Sequence, residues 1–380
     1  MTTHNTKNNI QQIYNNPFFK EFCMIRNLKQ SSIKSYAVVL NNYVQIQQTD
    51  LNTLIEEADL EEEQAIRPSK RKIKQRLIQY KITLQEQKLQ DRTINDRLTK
   101  IRTFYSQFDI TPPKIPRNKV KHIETYKQLL TPEHIRKAVN TSKNYKMRAI
   151  ILFMASSGTA AKETSNITIQ DFIEATSEYH NETQIERVIP SLINREDIVP
   201  TFSIIRNKTQ TPYFTFCTPE TTQYILTYLQ NEILKRELHP DDSLFNISAQ
   251  GIQTNLERLN DVCDFGWKTK TCRFFHSHGL RKFFGTTMFD AGLSELTVDF
   301  LEGRSIGATR QAYYKPRPEE LKTKYLRAMN KVTFFNEISY QDITNKEKQE
   351  LEMLRQKDKE RDKQMKHIEA MIQEYKQLVE

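Results

Sequence analysis

One short stretch in the C-terminal half of the chain combines side chains that can bind and attack a phosphate group. His278 and Arg281 are three residues apart, which places them on one face if the segment is helical. A second cation, Arg304, follows in a Gly-Arg-Ser sequence, and Tyr313 and Tyr314 come next. Such cations can neutralise a pentavalent phosphorane, and a phenol can attack the phosphorus. The spacing therefore predicts phosphoryl transfer, with a tyrosine as the nucleophile.

The order of these residues resembles the C-terminal half of the active site of tyrosine recombinases, the phage-integrase family. The sequence Ala-Tyr-Tyr-Lys-Pro at 312–316 is also similar to that of archaeal-type integrases. The resemblance implies the integrase of a provirus or other mobile element, which cuts and rejoins DNA through a 3′-phosphotyrosine bond with no metal and no cofactor. It further implies double-stranded DNA attachment sites as partners and a homotetramer on that DNA.

The same resemblance leaves two candidates for the nucleophile. In the family the tyrosine commonly comes about nine residues after the position of Arg304, which favours Tyr313. Other relatives have Tyr-Tyr-Arg-Pro with the second tyrosine in register, and a one-residue insertion here would make Tyr314 the nucleophile. The residue at position 304 is more often His or Trp in the family, and Arg keeps the charge and the donors.

A predicted hairpin supplies a further cation. Lys208 lies at its tip and matches the hairpin lysine of the family, the general acid that protonates the leaving 5′ oxygen. Arg206 is two residues away and is expected on the same strand face.

One family position is not filled. Members have Gly-x-Arg-x-x-Glu after a buried helix, and here that arginine is replaced by Ala160, with Glu163 retained. Losing one such donor lowers the rate on the order of 10²–10³ unless another group replaces it. Lys162 and Arg206 are the candidate replacements. The alternatives to a recombinase are a catalytically impaired DNA-binding relative that organises a nucleoprotein complex, and a helical interaction protein with a basic surface.

The composition agrees with a DNA partner and excludes several classes of protein. The 380 residues carry a formal net charge of +10, which suits a polyanion. The four cysteines form no CxxC pair, and neither HExxH nor a P-loop sequence is present, so we expect no metal site and no ATP use. No stretch is apolar enough for a membrane span, and we expect a reduced, cytoplasmic and nucleoid-associated protein.

The elements that must position these residues fall into five segments. We expect a mainly α-helical protein with a small β-hairpin or sheet, in which an N-terminal core-binding (SAM-like) helical domain precedes an α+β tyrosine-recombinase catalytic domain. The expected segments are 1–14 disordered, 15–110 core-binding DNA-binding domain, 111–129 Pro-rich basic linker, 130–338 catalytic domain, and 339–380 C-terminal helix or coiled coil with apolar heptad positions.

Periodicity predicts the individual elements. In the first domain we expect helices at 31–46, with Ser31 as N-cap, at 53–65 and at 93–108. In the second we expect Thr131 as an N-cap, a core helix at 147–156, strands at 202–208 and 213–217, and helices at 219–234, 252–261 and 277–291. Phosphate contacts are expected from seven basic residues of the first domain: Lys70, Arg71, Lys72, Lys74, Arg92, Arg97 and Lys100.

Overall fold

The computed structural model describes residues 10–119, 129–269, 271–307 and 316–335. The chain divides into two compact units, Met1–Ile123 and Glu124–Glu380, each with its own hydrophobic core. Both units are mainly helical, and the strands of the described residues form two antiparallel two-stranded sheets in the second unit. The predicted fold class is confirmed.

The first unit is a helical bundle with an aromatic core. Its helices are α1 (Pro17–Ile25), α2 (Gln30–Gln47), α3 (Leu51–Glu63), α4 (Lys72–Glu86) and α5 (Asp91–Ser106). Buried rings of Phe22, Tyr43 and Phe104 lie where apolar residues recur at helical spacing. Asp50 caps α3 by accepting a hydrogen bond from the Thr53 amide at 2.9 Å.

Two predictions for this unit are wrong. Ser31 is not an N-cap, because α2 already begins at Gln30, after Lys29 in extended conformation. The disorder predicted through residue 14 does not hold for 10–14, since residues 10–15 are helical and Ile13 is buried in the core. This segment is mostly polar, but two of its residues, Ile13 and Tyr14, pack on the core.

The first part of the predicted linker packs on the first unit. Residues 111–119 form neither helix nor strand, as their prolines require. The Lys81 ammonium donates to the Pro116 carbonyl at 2.8 Å, and Asn95 exchanges two 3.0 Å hydrogen bonds with the backbone of Asn118. The chain up to 118 is therefore held against α4 and α5.

The second unit is built around one helix that is buried along most of its length. Its elements are α6 (Pro132–Thr141), α7 (Tyr145–Ser157), α8 (Ala161–Asn166), α9 (Ile169–Ala175), α10 (Ile185–Leu192), β1 (Thr201–Arg206), β2 (Thr211–Phe216), α11 (Pro219–Ile233), α12 (Ala249–Val262), β3 (Trp267–Thr269), β4 (Cys272–Arg273), α13 (Ser277–Asp290), α14 (Glu295–Leu301) and α15 (Pro318–Ala328). Helix α7, apolar nearly throughout, packs against α6, α11 and α13. The predicted core helix, the hairpin and the Thr131 cap are confirmed, with bounds shifted by a few residues.

The β1–β2 hairpin is fixed to the rest of the second unit. Its register pairs Thr201 with Phe216 and Arg206 with Thr211, which leaves residues 207–210 as the turn. The hydroxyl of Thr215 donates to the Ser157 carbonyl at the end of α7, at 2.7 Å. The hairpin is therefore anchored where α7 gives way to Gly158.

Candidate active site

Helix α13 carries both residues of the predicted His–Arg pair. It begins at Ser277, after His276 in extended conformation, and the His276 ring lies 2.9 Å from the Phe274 carbonyl through Nδ1. Arg281 points into the second unit and is buried, whereas His278 is exposed on the first turn. The pair therefore presents one fixed cation and one accessible ring.

Arg281 is held by backbone carbonyls from two different turns. Its Nη1 donates to the Gly158 carbonyl at 2.9 Å, and its Nη2 donates to the Glu302 carbonyl at 2.5 Å. The carboxylates of Glu163 and Glu302 stand further off, at 3.6 and 3.8 Å. The guanidinium is thus oriented mainly by neutral acceptors.

The turn after α14 brings in the second predicted cation. Arg304 is half-exposed; its Nε is paired with the Glu302 carboxylate, and its Nη1 lies 3.6 Å from Asp299 Oδ1. Gly303 has a φ of +59°, and a Cβ there would overlap the Tyr213 ring. Only glycine allows this turn to pack directly on β2.

The hairpin supplies Arg206 and Lys208. Arg206 Nη1 donates to the Glu302 carbonyl at 3.1 Å, the same oxygen that accepts from Arg281. Lys208 lies in the exposed turn of the hairpin, at the predicted place. We call Arg206, Arg281 and Arg304 the arginine cluster, and all three contact Glu302.

The segment with the missing arginine adjoins this cluster. Ala160 precedes α8, and its amide donates to the Glu163 carboxylate at 2.7 Å. Through the same oxygen Glu163 faces Arg281. Lys162 is exposed on α8. Of the two candidate replacements, Arg206 is the one that contacts the same turn as Arg281.

Charge and burial shift the pKa values of several groups in the site. The pKa of His278 is lowered, first by partial burial and then by its electrostatic interactions with His276, Lys268, Arg281 and Arg304. Burial raises the pKa of the Glu302 carboxyl, against the attraction of Arg281 and Arg304. Burial lowers the pKa of Arg206, and the neighbouring charge of Arg281 lowers it further. Because its pKa is lowered from the ordinary value of 6.5, the His278 ring is neutral at neutral pH.

Two residues of this site were not identified from the sequence. Glu302 is fully buried and joins the whole arginine cluster, and Gly285 on α13 leaves room for it, because a Cβ there would lie 3.0 Å from Glu302 Oε1. Tyr213 is buried beneath Gly303. A charged residue directly after the apolar end of α14 was the available signal for Glu302. The predicted nucleophiles, Tyr313 and Tyr314, and the predicted C-terminal coiled coil lie outside the described residues.

The basic residues of the first unit differ in exposure. Lys70, Lys72 and Arg92 are exposed. Lys74, Arg97 and Lys100 are half-buried; Arg97 donates to Asn42 at 2.9 Å, and Lys100 pairs with Asp96 at 2.5 Å.

Arg71 corrects the predicted list of phosphate contacts. It is buried, donates to the Ile66 carbonyl at 2.7 Å and pairs with Glu62 at 2.6 Å. Its guanidinium is committed to the fold, and it is not available as a phosphate contact.

Among the described residues, no group of three or more His, Cys, Asp or Glu side chains is placed to hold a metal ion. No helix in these ranges combines the length and apolar character needed to cross a membrane.

The comparisons with solved structures identify the fold. A lambda integrase fragment, residues 75–356, crystallised as a dimer bound to a COC' core site, superposes with a TM-score of 0.50 over 79% of this chain and 95% of that chain, at 12% identity. The fold is that of tyrosine recombinase catalytic domains. The Tn1549 transposon integrase in complex with transposon right end DNA gives a TM-score of 0.49, 15% identity and coverages of 82% and 98%. XerH site-specific recombinase bound to its difH substrate gives a TM-score of 0.47 at 16% identity, over 80% of this chain and 82% of that chain.

No protein-family model matches the chain, and no curated protein matches it in sequence. The likeness to tyrosine recombinases therefore rests on the fold.

Proposed function

We propose that this protein is a site-specific DNA recombinase that cuts and rejoins strands through a 3′-phosphotyrosine intermediate. The observation that carries the proposal is the arginine cluster, in which three guanidinium groups meet at the Glu302 turn of a tyrosine-recombinase fold. Guanidinium groups donate paired hydrogen bonds that match the oxygens of a phosphodiester. Because Arg206 and Arg281 are held by backbone carbonyls, they need little reorganisation when charge develops on the phosphorus.

In the proposed reaction the phenolic oxygen of Tyr313, or of Tyr314, attacks the scissile phosphorus. The bond from phosphorus to the 5′ oxygen breaks, and that oxygen takes a proton from the Lys208 ammonium. The phenol proton passes to a base, for which the neutral His278 ring is the candidate. In rejoining, a 5′ hydroxyl attacks the phosphotyrosine and releases the phenol, so no external energy source is needed.

The proposed substrate is a double-stranded DNA attachment site of a provirus or other mobile element, in the manner of archaeal-type integrases. The first unit adds phosphate contacts through Lys70, Lys72 and Arg92, which are exposed. Lys74, Arg97 and Lys100 are weaker candidates because they are half-buried. We further propose a homotetramer on DNA, in which residues 339–380 contact a neighbouring protomer as a helix or coiled coil.

A covalent-trapping assay tests the reaction class. The full chain is incubated with duplexes that carry a randomised core and a 5′-bridging phosphorothiolate, whose thiolate leaving group does not reattack. Complexes that resist detergent are resolved on denaturing gels and their DNA is sequenced. We expect a covalent band with the native chain. The band should be lost in only one of the variants Tyr313→Phe and Tyr314→Phe, and that variant identifies the nucleophile.

A second candidate function is a catalytically impaired relative that binds DNA and organises a nucleoprotein complex. The observation in its favour is Ala160, which stands where family members carry an arginine. Salt-sensitive DNA binding with no covalent band on any duplex of the pool would support this function and contradict the recombinase.

A further inference from the structure

Two guanidinium groups lie side by side on the Glu302 turn, and they come from different elements. Arg281 comes from α13 and Arg206 from the end of β1, yet both donate to the Glu302 carbonyl oxygen, at 2.5 and 3.1 Å. Burial and, after it, the positive charge of Arg281 lower the pKa of Arg206, and the second effect is expected for neighbours of like charge. The fold therefore holds two cations together against their mutual repulsion.

The pair has donors left over for an anion. Arg206 Nε is buried and donates no hydrogen bond to any described residue. The nearest carboxylate oxygen of Glu163 is 3.6 Å from Arg281, beyond a close hydrogen bond. A phosphate oxygen placed between the two guanidinium groups would accept from both and would relieve their repulsion.

Position 160, where family members carry an arginine and this chain has alanine, also adjoins Arg281. Ala160 is two residues from Gly158, whose carbonyl orients Arg281, and its amide binds the Glu163 carboxylate that faces Arg281. The side chain of an arginine at position 160 would therefore start close to Arg281. In this chain Arg206 reaches Arg281 from the hairpin. Lys162, the other nearby cation, is exposed on α8.

We propose that Arg206 is the second phosphate-binding arginine of this active site, in place of the arginine that relatives carry at position 160. It donates to a non-bridging oxygen of the scissile phosphate next to Arg281. This inference rests on the proposed function and deepens it.

The assignment changes how the site is organised. Arg206 and Lys208 are two residues apart on one hairpin, so phosphate binding and leaving-group protonation are carried by the same element. The hairpin is held by Tyr213, which packs on Gly303, and by Thr215, which donates to the Ser157 carbonyl. Displacing the hairpin would remove both functions together.

Covalent trapping on two kinds of DNA tests the proposal. Arg206→Ala is compared with the native chain on phosphodiester duplexes and on duplexes with a neutral methylphosphonate at the scissile position. On the phosphodiester we expect a loss on the order of 10² in the rate of covalent complex formation. On the methylphosphonate, which has no charge to neutralise, we expect the variant to come within a few-fold of the native chain. Arg187→Ala, an exposed arginine of α10, is the charge-matched control.

A rescue variant separates phosphate binding from structural support. The double variant Arg206→Ala, Ala160→Arg should react at least about tenfold faster on the phosphodiester than Arg206→Ala alone. It would thereby recover part of the rate lost with one donor. Equal losses on the two kinds of DNA would mean that Arg206 only supports the fold, and a near-native rate for Arg206→Ala on the phosphodiester would also overturn the proposal.

Sulfate binding keeps this test independent of the proposed function. Sulfate should raise the melting temperature of the native chain and of Arg187→Ala by mass action. It should raise the melting temperature of Arg206→Ala clearly less. If the native chain forms no covalent complex but this difference is present, the recombinase proposal fails while the anion site at Arg206 stands. If sulfate stabilises all three chains equally, the inference on Arg206 fails.

Discussion

Among the described residues, each of the two units buries one arginine, and the two residues are bound in different ways. The side chain of Arg71 in the first unit is 7% exposed and that of Arg281 in the second is 6% exposed. Arg71 pairs with the Glu62 carboxylate at 2.6 Å and donates to Ile66, both within ten residues of it. Arg281 binds the carbonyls of Gly158 and Glu302, both more than twenty residues away. The carboxylates of Glu163 and Glu302 lie more than 3.5 Å from its guanidinium.

Burial alone therefore does not indicate a functional arginine. A contact of 2.6 Å neutralises Arg71 and closes a local turn. The neutral acceptors of Arg281 fix its orientation, the carboxylates of Glu163 and Glu302 lie beyond 3.5 Å, and Arg206 adds a second cation beside it. The first arrangement stabilises a fold, and the second is suited to receive an anion.

The largest expected effect comes from removing each arginine in turn. Arg281→Ala should lower the rate of covalent complex formation on the order of 10³, because one fixed phosphate donor is lost. Arg71→Ala should cost about 3 kcal/mol of stability, because it removes both the guanidinium partner of Glu62 and the donor to the Ile66 carbonyl. Single-turnover rates at saturating DNA and chemical denaturation measure the two quantities.

Arg71→Ala should react at nearly the native rate wherever it remains folded. The comparison would be broken if Arg71→Ala, folded and bound to DNA, lost as much rate as Arg281→Ala. It would also be broken if Arg281→Lys reacted at the native rate, because lysine keeps the charge but not the paired donors.

The second effect concerns Lys208, a cation of the hairpin turn. Lys208→Ala should lower the rate on ordinary DNA on the order of 10², the contribution of a general acid. On DNA with a 5′-bridging sulfur the leaving thiolate needs no proton, so the variant should react within a few-fold of the native chain. Arg281→Ala should stay slow on both kinds of DNA. Failure of the sulfur to restore Lys208→Ala would remove the general-acid role.

The sequence predicted those parts of the molecule that depend on local pattern. Helix α7 was found because its residues are apolar on every side, and the β1–β2 hairpin was found because two β-rich runs flank a polar turn. Which member of a basic run faces inward is decided by packing, and so Arg71 was misassigned to the surface. Arg206 and Arg281 meet Glu302 from 96 and 21 positions away in the sequence, which no local pattern encodes.

The third effect is a pair of opposite pH dependences at the two carboxylates. The hydrogen bond from Arg71 lowers the pKa of Glu62, whereas burial raises the pKa of Glu302. Glu62 therefore stabilises the protein above the ordinary value of 4.5, and this contribution is lost as pH falls through its lowered pKa. Glu302 binds its proton more tightly in the fold than in the unfolded chain, so stability decreases as pH rises from 4.5 through its raised pKa.

Glutamine variants make these dependences measurable by thermal denaturation. As pH rises through these ranges, Glu62→Gln should become less stable than the native chain and Glu302→Gln more stable, by a few degrees for on the order of 1 kcal/mol. Glu302→Gln should also bind sulfate more tightly, because a counter-charge of the arginine cluster is gone. The contrast between the two sites fails if both variants shift in the same direction.

A smaller effect is expected from the exposed cations of the first unit. Replacing Lys70, Lys72 and Arg92 together by glutamine should reduce the slope of log affinity against log salt by roughly 2 to 3, since each phosphate contact contributes about 0.9. The rate of covalent complex formation at saturating DNA should not change, because these residues add affinity and not chemistry. A changed rate at saturation would mean that the first unit takes part in the reaction.

The smallest effect is a shift in the titration of His278. Partial burial and the surrounding cations place its pKa below the ordinary value of 6.5 in the DNA-free protein. Its contribution to stability is therefore present above 6.5 and decreases as pH falls through the lowered pKa, because the unfolded chain takes up the proton first. A bound phosphodiester brings negative charge and should raise this pKa. NMR titration of the ring, assigned with His278→Gln, measures both values. A pKa at or above 6.5 without DNA, or no rise with it, would contradict a net positive field around the arginine cluster, the feature that distinguishes Arg281 from Arg71.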